Sequence, residues 1–288
     1  MGWRDRFHQV VHPPTARERK AIRTLREKMN ALPALTISST ATKPERAWTE
    51  FRQTVRNSVS AKDPRYFLRW PVIQHTMFYP GHPAELAALQ SAPSWGMWRQ
   101  AILESPAGFP QRYPALPESS GNLIHHAYAL WALEQNTTCI TQRLKTVFEF
   151  GGGYGSTARL FSQLGFNGTY IIFDLPEFLL LQEFFLEHMN KGESIEFVSD
   201  FTDRRIVPHP DLFLAAWSLS ESPLEVRKKM IPLIKGSQYV LIAYQAKFQD
   251  VDNEIFFKTL RPQAPGLSWK SVPIRHAPGN FFLIGERQ

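Results

Sequence analysis

Cysteine is almost absent. Cys139 is the only one in 288 residues, which excludes an intramolecular disulfide framework and a structural zinc site built from cysteines. No uncharged apolar run reaches the ~18 to 20 residues that a membrane-spanning helix requires, so an integral helical membrane protein is excluded while peripheral attachment stays open. No apolar segment of secretory type follows the first residues, and a reducing, cytoplasmic setting is the expectation. Internal repeats and low-complexity segments are also missing. What is present is a folding composition: 43% hydrophobic and 20% charged residues, enough for one large core or two smaller ones and incompatible with disorder.

Charge is unevenly spread. Residues 1–145 hold 19 Lys+Arg against 10 Asp+Glu, whereas residues 146–288 hold 14 against 16. The first 70 residues alone hold 15 against 6, so the front quarter carries the surplus. Two readings account for it: an anionic partner, or a solvated helix surface such as Arg17 to Lys28 with ordinary i,i+4 pairs. Nothing in the pattern demands nucleic acid.

Proline divides the chain. Thirteen of the 22 prolines precede residue 146, and they break the front into expected helices near 15–31, 44–59, 83–90 and 94–104. The stretch 104–117, with four prolines, reads as a surface loop or lid. From Ser119 the text changes. SSGNLIHHAYALWALEQ has apolar residues at helical spacing, and TVFEF (146–150), YIIFD (170–174), SIEFVS (194–199), DLFLAAW (211–217) and QYVLIAY (238–244) read as strands. Helices are expected from 156 to 164, over EFLLLQEFFLEHM after Pro176, and at 223–234. This βαβ rhythm predicts a mainly parallel sheet covered on both faces. WKSVPI (269–274) and NFFLIGE (280–286), joined by a Pro-Gly turn, read as a closing antiparallel hairpin. The division is therefore a helical, proline-rich region over 1–118 and an α/β domain over 119–288.

The sharpest signal is Glu149-Phe150-Gly151-Gly152-Gly153-Tyr154-Gly155, at the end of the first strand and the start of a helix. Ligands of open α/β sheets bind at that edge, where glycines let the backbone approach and the helix start offers free N–H groups. Asp174 and Asp200 close the next two strands, so three acids share one edge. A carboxylate at the second strand tip is placed to accept hydrogen bonds from ribose hydroxyls. The G-x-G-x-x-G spacing of dinucleotide sites is not kept, because Ser156 stands at the sixth position, and no Gly-Lys-Ser/Thr follows. No basic residue lies between Lys145 and Arg159. A phosphate-free ligand therefore suits the turn better than a pyrophosphate. S-adenosylmethionine (SAM), with a ribose, an adenine and a cationic sulfonium, meets these conditions, with Glu149 near its positive end.

The segments VFEFGGGYGSTARL, YIIFDLPEFLLLQEFFL and LAAWSLSES resemble the class I SAM-dependent methyltransferase superfamily and, within it, bacterial sugar O-methyltransferases. The resemblance covers residues 119–288. It implies a Rossmann-like fold with a seven-stranded, mostly parallel sheet and an antiparallel last strand, and SAM as the cofactor. It also implies cofactor contacts by Glu149, Gly151, Gly153, Gly155, Asp174 and Asp200; Tyr154, Leu175, Phe201 and Trp217 are further cofactor-binding candidates at the same edge. Glu149 stands where many relatives carry Asp. The expected activity is O-methylation of a sugar hydroxyl, on a free, phosphorylated or nucleotide-linked sugar or a glycan, and a homo-oligomer stays open.

Methyl transfer from a sulfonium needs alignment, and a hydroxyl acceptor also needs its proton removed. His125 and His126 sit in the helix before the glycine strand, about 100° apart around the axis; His126 is favoured as the base. Glu221 is a second candidate base or a helix cap, and Tyr128 and Ser218 are expected at the acceptor. Trp48, Trp70, Trp95 and Trp98 suit sugar stacking or core packing. Asp200, Asp203 and Glu221 would suit magnesium, but acids at strand tips are common in this fold and no metal is assigned. Three alternatives stay open: methylation of a non-sugar small molecule, a nicotinamide-dependent oxidoreductase, and a catalytically silent SAM-binding module.

Overall fold

The computed structural model describes residues 13–187, 194–249 and 251–288. The sheet is built from β1 (Thr146–Phe150), β2 (Thr169–Phe173), β3 (Ser194–Val198), β4 (Leu212–Ala216), β5 (Tyr239–Gln245), β6 (Leu267–Pro273) and β7 (Asn280–Arg287). These seven strands lie in the order β6-β7-β5-β4-β1-β2-β3. Strands β1 to β5 run parallel, and β7 runs antiparallel to both β5 and β6. This is the expected seven-stranded, mostly parallel sheet with an antiparallel last strand, and the closing hairpin falls where the Pro-Gly turn placed it. The middle strands are short and almost wholly apolar because both of their faces are covered. Alternation along β1 sends Phe148 and Phe150 into the core on one face, and Val147 and Glu149 toward the other.

The helices are α1 (Ala16–Asn30), α2 (Lys43–Ala61), α3 (Pro71–Met77), α4 (Pro83–Ser91), α5 (Trp95–Ala101), α6 (Gly121–Asn136), α7 (Ser156–Gln163), α8 (Pro176–Leu186), α9 (Ser218–Glu221), α10 (Leu224–Gly236) and α11 (Asn253–Leu260). Thr15 with Glu18 and Thr42 with Glu45 form capping boxes that start α1 and α2. Helix α5 stops at Ala101, short of the expected 104. Helix α3 was not foreseen, because Pro71 reads as a breaker but occupies the first helical position, where proline costs nothing. The segment 104–117 contains a strand, Arg112–Tyr113, that pairs with Leu116–Ser120. The expected continuation of α8 to Met189 lies outside the described residues.

The front helices share a core with the sheet. One apolar cluster runs from Ala21 and Val55 through Trp98 and Leu130 to Tyr170 and Ile284, so α1 to α8 and one sheet face pack as a continuous body. The opposite face packs on α10 and α11 through Met230, Ile234, Phe257 and Leu260. Trp98 and Trp70 are buried core residues. A buried acid fixes α2 to the sheet domain. Glu177, in the first turn of α8, accepts from Arg52 Nε at 2.6 Å and Arg56 Nε at 2.7 Å, and Arg56 also donates to the Pro33 carbonyl at 2.8 Å. On the outside, Lys28 pairs with Glu183 at 2.7 Å.

Burial pushes the Glu177 carboxyl up, but hydrogen bonds from Arg52 and Arg56 outweigh it and hold the group below its ordinary value. A lowered folded-state value means that the stabilisation is complete above the unfolded carboxylate range and disappears as pH falls through the folded value. Glu177→Ala is therefore expected to cost about 3 kcal/mol in urea unfolding at neutral pH, by leaving two guanidinium groups without their acid. The difference from the unsubstituted protein should narrow as the pH is taken below the usual carboxylate range.

Candidate active site

A cavity of about 820 Å³ opens over the carboxyl ends of the central strands. Its floor is the sheet edge: Glu149, Gly151, Gly152, Gly153, Tyr154, Asp174, Leu175, Phe201, Trp217 and Ser218. Its wall is α6, through Asn122, His125 and His126, and its roof comes from the front region: residues 36–41, then Glu45, Trp48, Thr49 and Arg52 of α2, and residues 75–79. Segment 104–117, expected as a lid, does not line the cavity; the strap at 36–41 does. Arg46 braces that strap by donating to the Ala41 carbonyl at 3.1 Å and the Ser39 carbonyl at 3.0 Å.

The glycine turn is shaped by what surrounds it. Gly151, Gly153 and Gly155 have φ of +75°, +59° and +91°, in the region L residues avoid. A Cβ on Gly151 would lie 2.3 Å from the Ser218 Cβ, whereas one on Gly153 would meet no atom within 4 Å. Gly151 is thus fixed by packing, and Gly153 faces open space where a ligand can approach the chain. The Ser218 hydroxyl donates to the Phe150 carbonyl, and the Gly151 N–H donates to the Phe173 carbonyl at 2.8 Å. Gly155 is drawn away from the cavity, capping α7 beside Leu186.

The two inner acids are neighbours. Burial pushes the Glu149 carboxyl up to about 8, even though the Tyr170 hydroxyl donates to it and the nearby Thr157 hydroxyl favours the charged form. The Tyr170 oxygen stands 2.9 Å from it. Asp174 accepts from the Leu175 N–H and from Gln182 Nε2, both at 2.7 Å. Burial still pushes it up to about 7. A cavity floored by two such acids is prepared for a cation and for hydroxyl donors.

Other expected residues are distributed unevenly. Asp200 is exposed and outside the cavity, its carboxylate accepting from the Thr202 N–H and hydroxyl at 2.8 Å. Its neighbour Phe201 lines the cavity, 4.5 Å from the Phe173 ring. Asp203 is engaged by Arg205 at 2.7 Å. Tyr128 also stands outside, stacked 5.7 Å from Trp131. Glu221 is on the wall, where burial pushes its carboxyl up to about 7 and Gln245 donates to it at 3.3 Å. Trp217 holds φ at +60°, a strained value for a bulky residue, while its indole N–H donates to Asn280 at 2.9 Å. The ring lies against α6, 4.8 Å from the His125 imidazole.

The adjacent histidines differ. His126 Nδ1 bonds the Ser156 hydroxyl at 2.6 Å, and burial pushes its imidazole down to about 3. His125 Nδ1 bonds Glu85 Oε1, and its Nε2 is buried with no hydrogen-bond partner among the described residues. Glu85 itself is fully buried. Sequence reasoning missed Glu85, because His82-Pro83-Ala84-Glu85 reads only as a helix start, and it missed Tyr79 and the strap because no spacing ties them to the glycine turn. Backbone contact keeps these parts together: a Cβ on Gly121, at the start of α6, would lie 2.3 Å from the Pro80 carbonyl carbon.

No family model matches the chain, and no curated protein matches it. The chain is similar in fold to several solved structures, methyltransferases among them. The magnesium protoporphyrin IX methyltransferase of Synechocystis PCC 6803, with bound SAM, is 13% identical over 73% of this chain and 100% of that one, with a TM-score of 0.41. The precorrin-6y C5,15-methyltransferase of Geobacter metallireducens is 13% identical over 57% and 87%, with a TM-score of 0.42. The fibrillarin pre-rRNA processing protein of Methanococcus jannaschii is 14% identical over 52% and 70%, with a TM-score of 0.41. These likenesses concern the fold alone.

The contrast within the turn is measurable. Gly153→Ala is expected to cost about 1 kcal/mol, the penalty of a left-handed L residue with free space around it. Gly151→Ala carries the same penalty plus a collision with Ser218 and is expected to cost about 2 to 4 kcal/mol. Urea unfolding of the two variants reads the difference.

Proposed function

We propose that this chain is a SAM-dependent O-methyltransferase acting on a sugar hydroxyl. The observation that carries this reading is that one cavity joins the glycine turn and its two acids to a histidine with a free ring nitrogen. Bound SAM supplies an activated methyl group at a sulfonium. The chain's part is then to hold the donor, orient the acceptor and take its proton. Gly151 and Gly153 let the backbone approach the donor, with Tyr154 beside them, and Gly155 starts the helix behind. Asp174 accepts from the ribose hydroxyls, and Glu149 faces the cationic end. Leu175, Phe201 and Trp217 give the adenine and the reacting end an apolar border; Asp200 shapes the turn that presents Phe201.

We take His125 as the general base in place of the sequence-favoured His126. The depressed basicity of His126 and its bond to Ser156 suit a wall residue, whereas His125 keeps Nε2 free. Ser218 and Glu221 border the acceptor path. On the roof, Trp48 and the hydroxyls of Thr36, Ser38, Thr40 and Thr49 suit the ring face and hydroxyl groups of a sugar. Arg52 suits a phosphorylated or nucleotide-linked one.

The test is label transfer from methyl-labelled SAM to a panel of monosaccharides, sugar phosphates, sugar nucleotides and glycans. Transfer to a sugar is expected; transfer only to non-sugar small molecules would replace the acceptor class. His125→Ala should keep donor affinity and lower transfer by about 10² to 10⁴-fold, with a smaller loss in His126→Ala. Normal transfer by His125→Ala would remove that role.

Donor binding carries a second signature. Glu149 is protonated below about 8 in the free protein, and a cation beside it favours the ionised form, so its value falls on binding. The complex therefore releases protons below that pH, and SAM affinity rises with pH up to about 8 and then levels. Calorimetry in buffers of different ionisation enthalpy measures the release, which Glu149→Gln should reduce to the share that Asp174 contributes below about 7. Asp174→Ala should weaken donor binding by about 1.5 to 3 kcal/mol, through lost charged hydrogen bonds.

A further inference from the structure

Glu85 is a fully buried carboxylate at which hydrogen-bond donors converge from three parts of the fold. His125 Nδ1 of α6 and His276 Nε2 of the β6–β7 turn, the latter at 2.8 Å, both bond Oε1. The His82 backbone N–H donates to Oε2 at 3.2 Å, and the Tyr79 hydroxyl is close enough for the carboxylate to push its value up. Burial raises the Glu85 carboxyl, but the two histidines outweigh it and keep the group low. An ionised carboxylate only accepts. Each histidine must then place a proton on the nitrogen that faces Glu85. A neutral His125 with its proton on Nδ1 has its lone pair on Nε2, the atom left unpartnered on a residue that lines the cavity. The ring cannot swing away, because Tyr79 lies 4.3 Å from it on one side and Trp217 4.8 Å on another. His276 is fixed in turn by stacking on His82, 4.6 Å apart and 14° from parallel.

We propose that Glu85 is the positioning residue that sets the His125 tautomer and aims its bare Nε2 at the acceptor hydroxyl, and that His276, clamping the same carboxylate oxygen, is a second positioning residue. This rests on the reading of His125 as the base. It adds that the base is composite. The front region supplies the carboxylate, the α/β domain the imidazole, and the closing hairpin the clamp.

The experiment is nitrogen NMR of the full chain with ¹⁵N-labelled histidine, alongside calorimetry with S-adenosylhomocysteine and the label-transfer assay. In the unsubstituted protein, His125 is expected as the Nδ1–H tautomer with a bare Nε2. Glu85→Leu removes the Oε1 that accepts from both rings, so neither His125 nor His276 keeps an acceptor for the proton it directs there. Transfer should fall by about 10²-fold while S-adenosylhomocysteine affinity is retained. His276→Gln keeps a donor in place and should retain transfer; His276→Phe should lose it. An Nε2–H tautomer for His125 in the unsubstituted protein overturns the proposal, and that measurement does not depend on any variant folding. Unchanged tautomers and transfer in Glu85→Leu overturn it equally. Failure of S-adenosylhomocysteine to bind the unsubstituted protein instead overturns the methyltransferase reading, and the tautomer result still judges the network.

Discussion

Burial of carboxyl groups at the tips of parallel strands governs the donor side of this site. Glu149 and Asp174 are surrounded by hydroxyl, amide and backbone N–H donors, and burial raises both of them. Keeping acids in such a place costs stability. The fold meets that cost with a rigid apolar sheet beneath and a glycine turn whose amides help to satisfy Asp174. Such an arrangement suits hydroxyl donors and a cation, because the acids that would meet them are already held in place.

The fold was legible because its signals are local. Apolar runs bounded by turns gave the strands, the Pro-Gly turn gave the hairpin, and the triple-glycine turn gave the functional edge. Within that edge, Glu149, Gly151, Gly153, Asp174, Leu175, Phe201, Trp217 and Ser218 share one cavity because parallel strands align their tips. Asp200 escaped the pattern: a strand tip fixes where a residue sits but not where its side chain turns, and Thr202 captured its carboxylate. The roof was illegible for a different reason. Residues 36–41, 48 and 75–79 are drawn to the site by tertiary packing, and Glu85 reaches His125 across 40 positions of sequence.

The choice between the histidines shows the same limit. Adjacent residues on one helix look equivalent in a sequence, yet one faces a serine on α7 and the other a buried carboxylate on α4. Partners, more than residue type, decide which imidazole can accept a proton. The front region therefore reaches the same cavity as the sheet edge, and its shared apolar core with the sheet is what keeps the two parts in register.

The close backbone approach of Gly121 to Pro80 ties the chain entering α4 to the start of α6. With no side chain between them, the segments bearing the carboxylate and the imidazole have no slack to drift apart. The strap at 36–41 is mostly exposed and attached through backbone carbonyls held by Arg46, so its side chains are free to vary. Exchange of strap residues would thus reshape the cavity's roof while leaving the bond between Glu85 and His125 beneath it undisturbed.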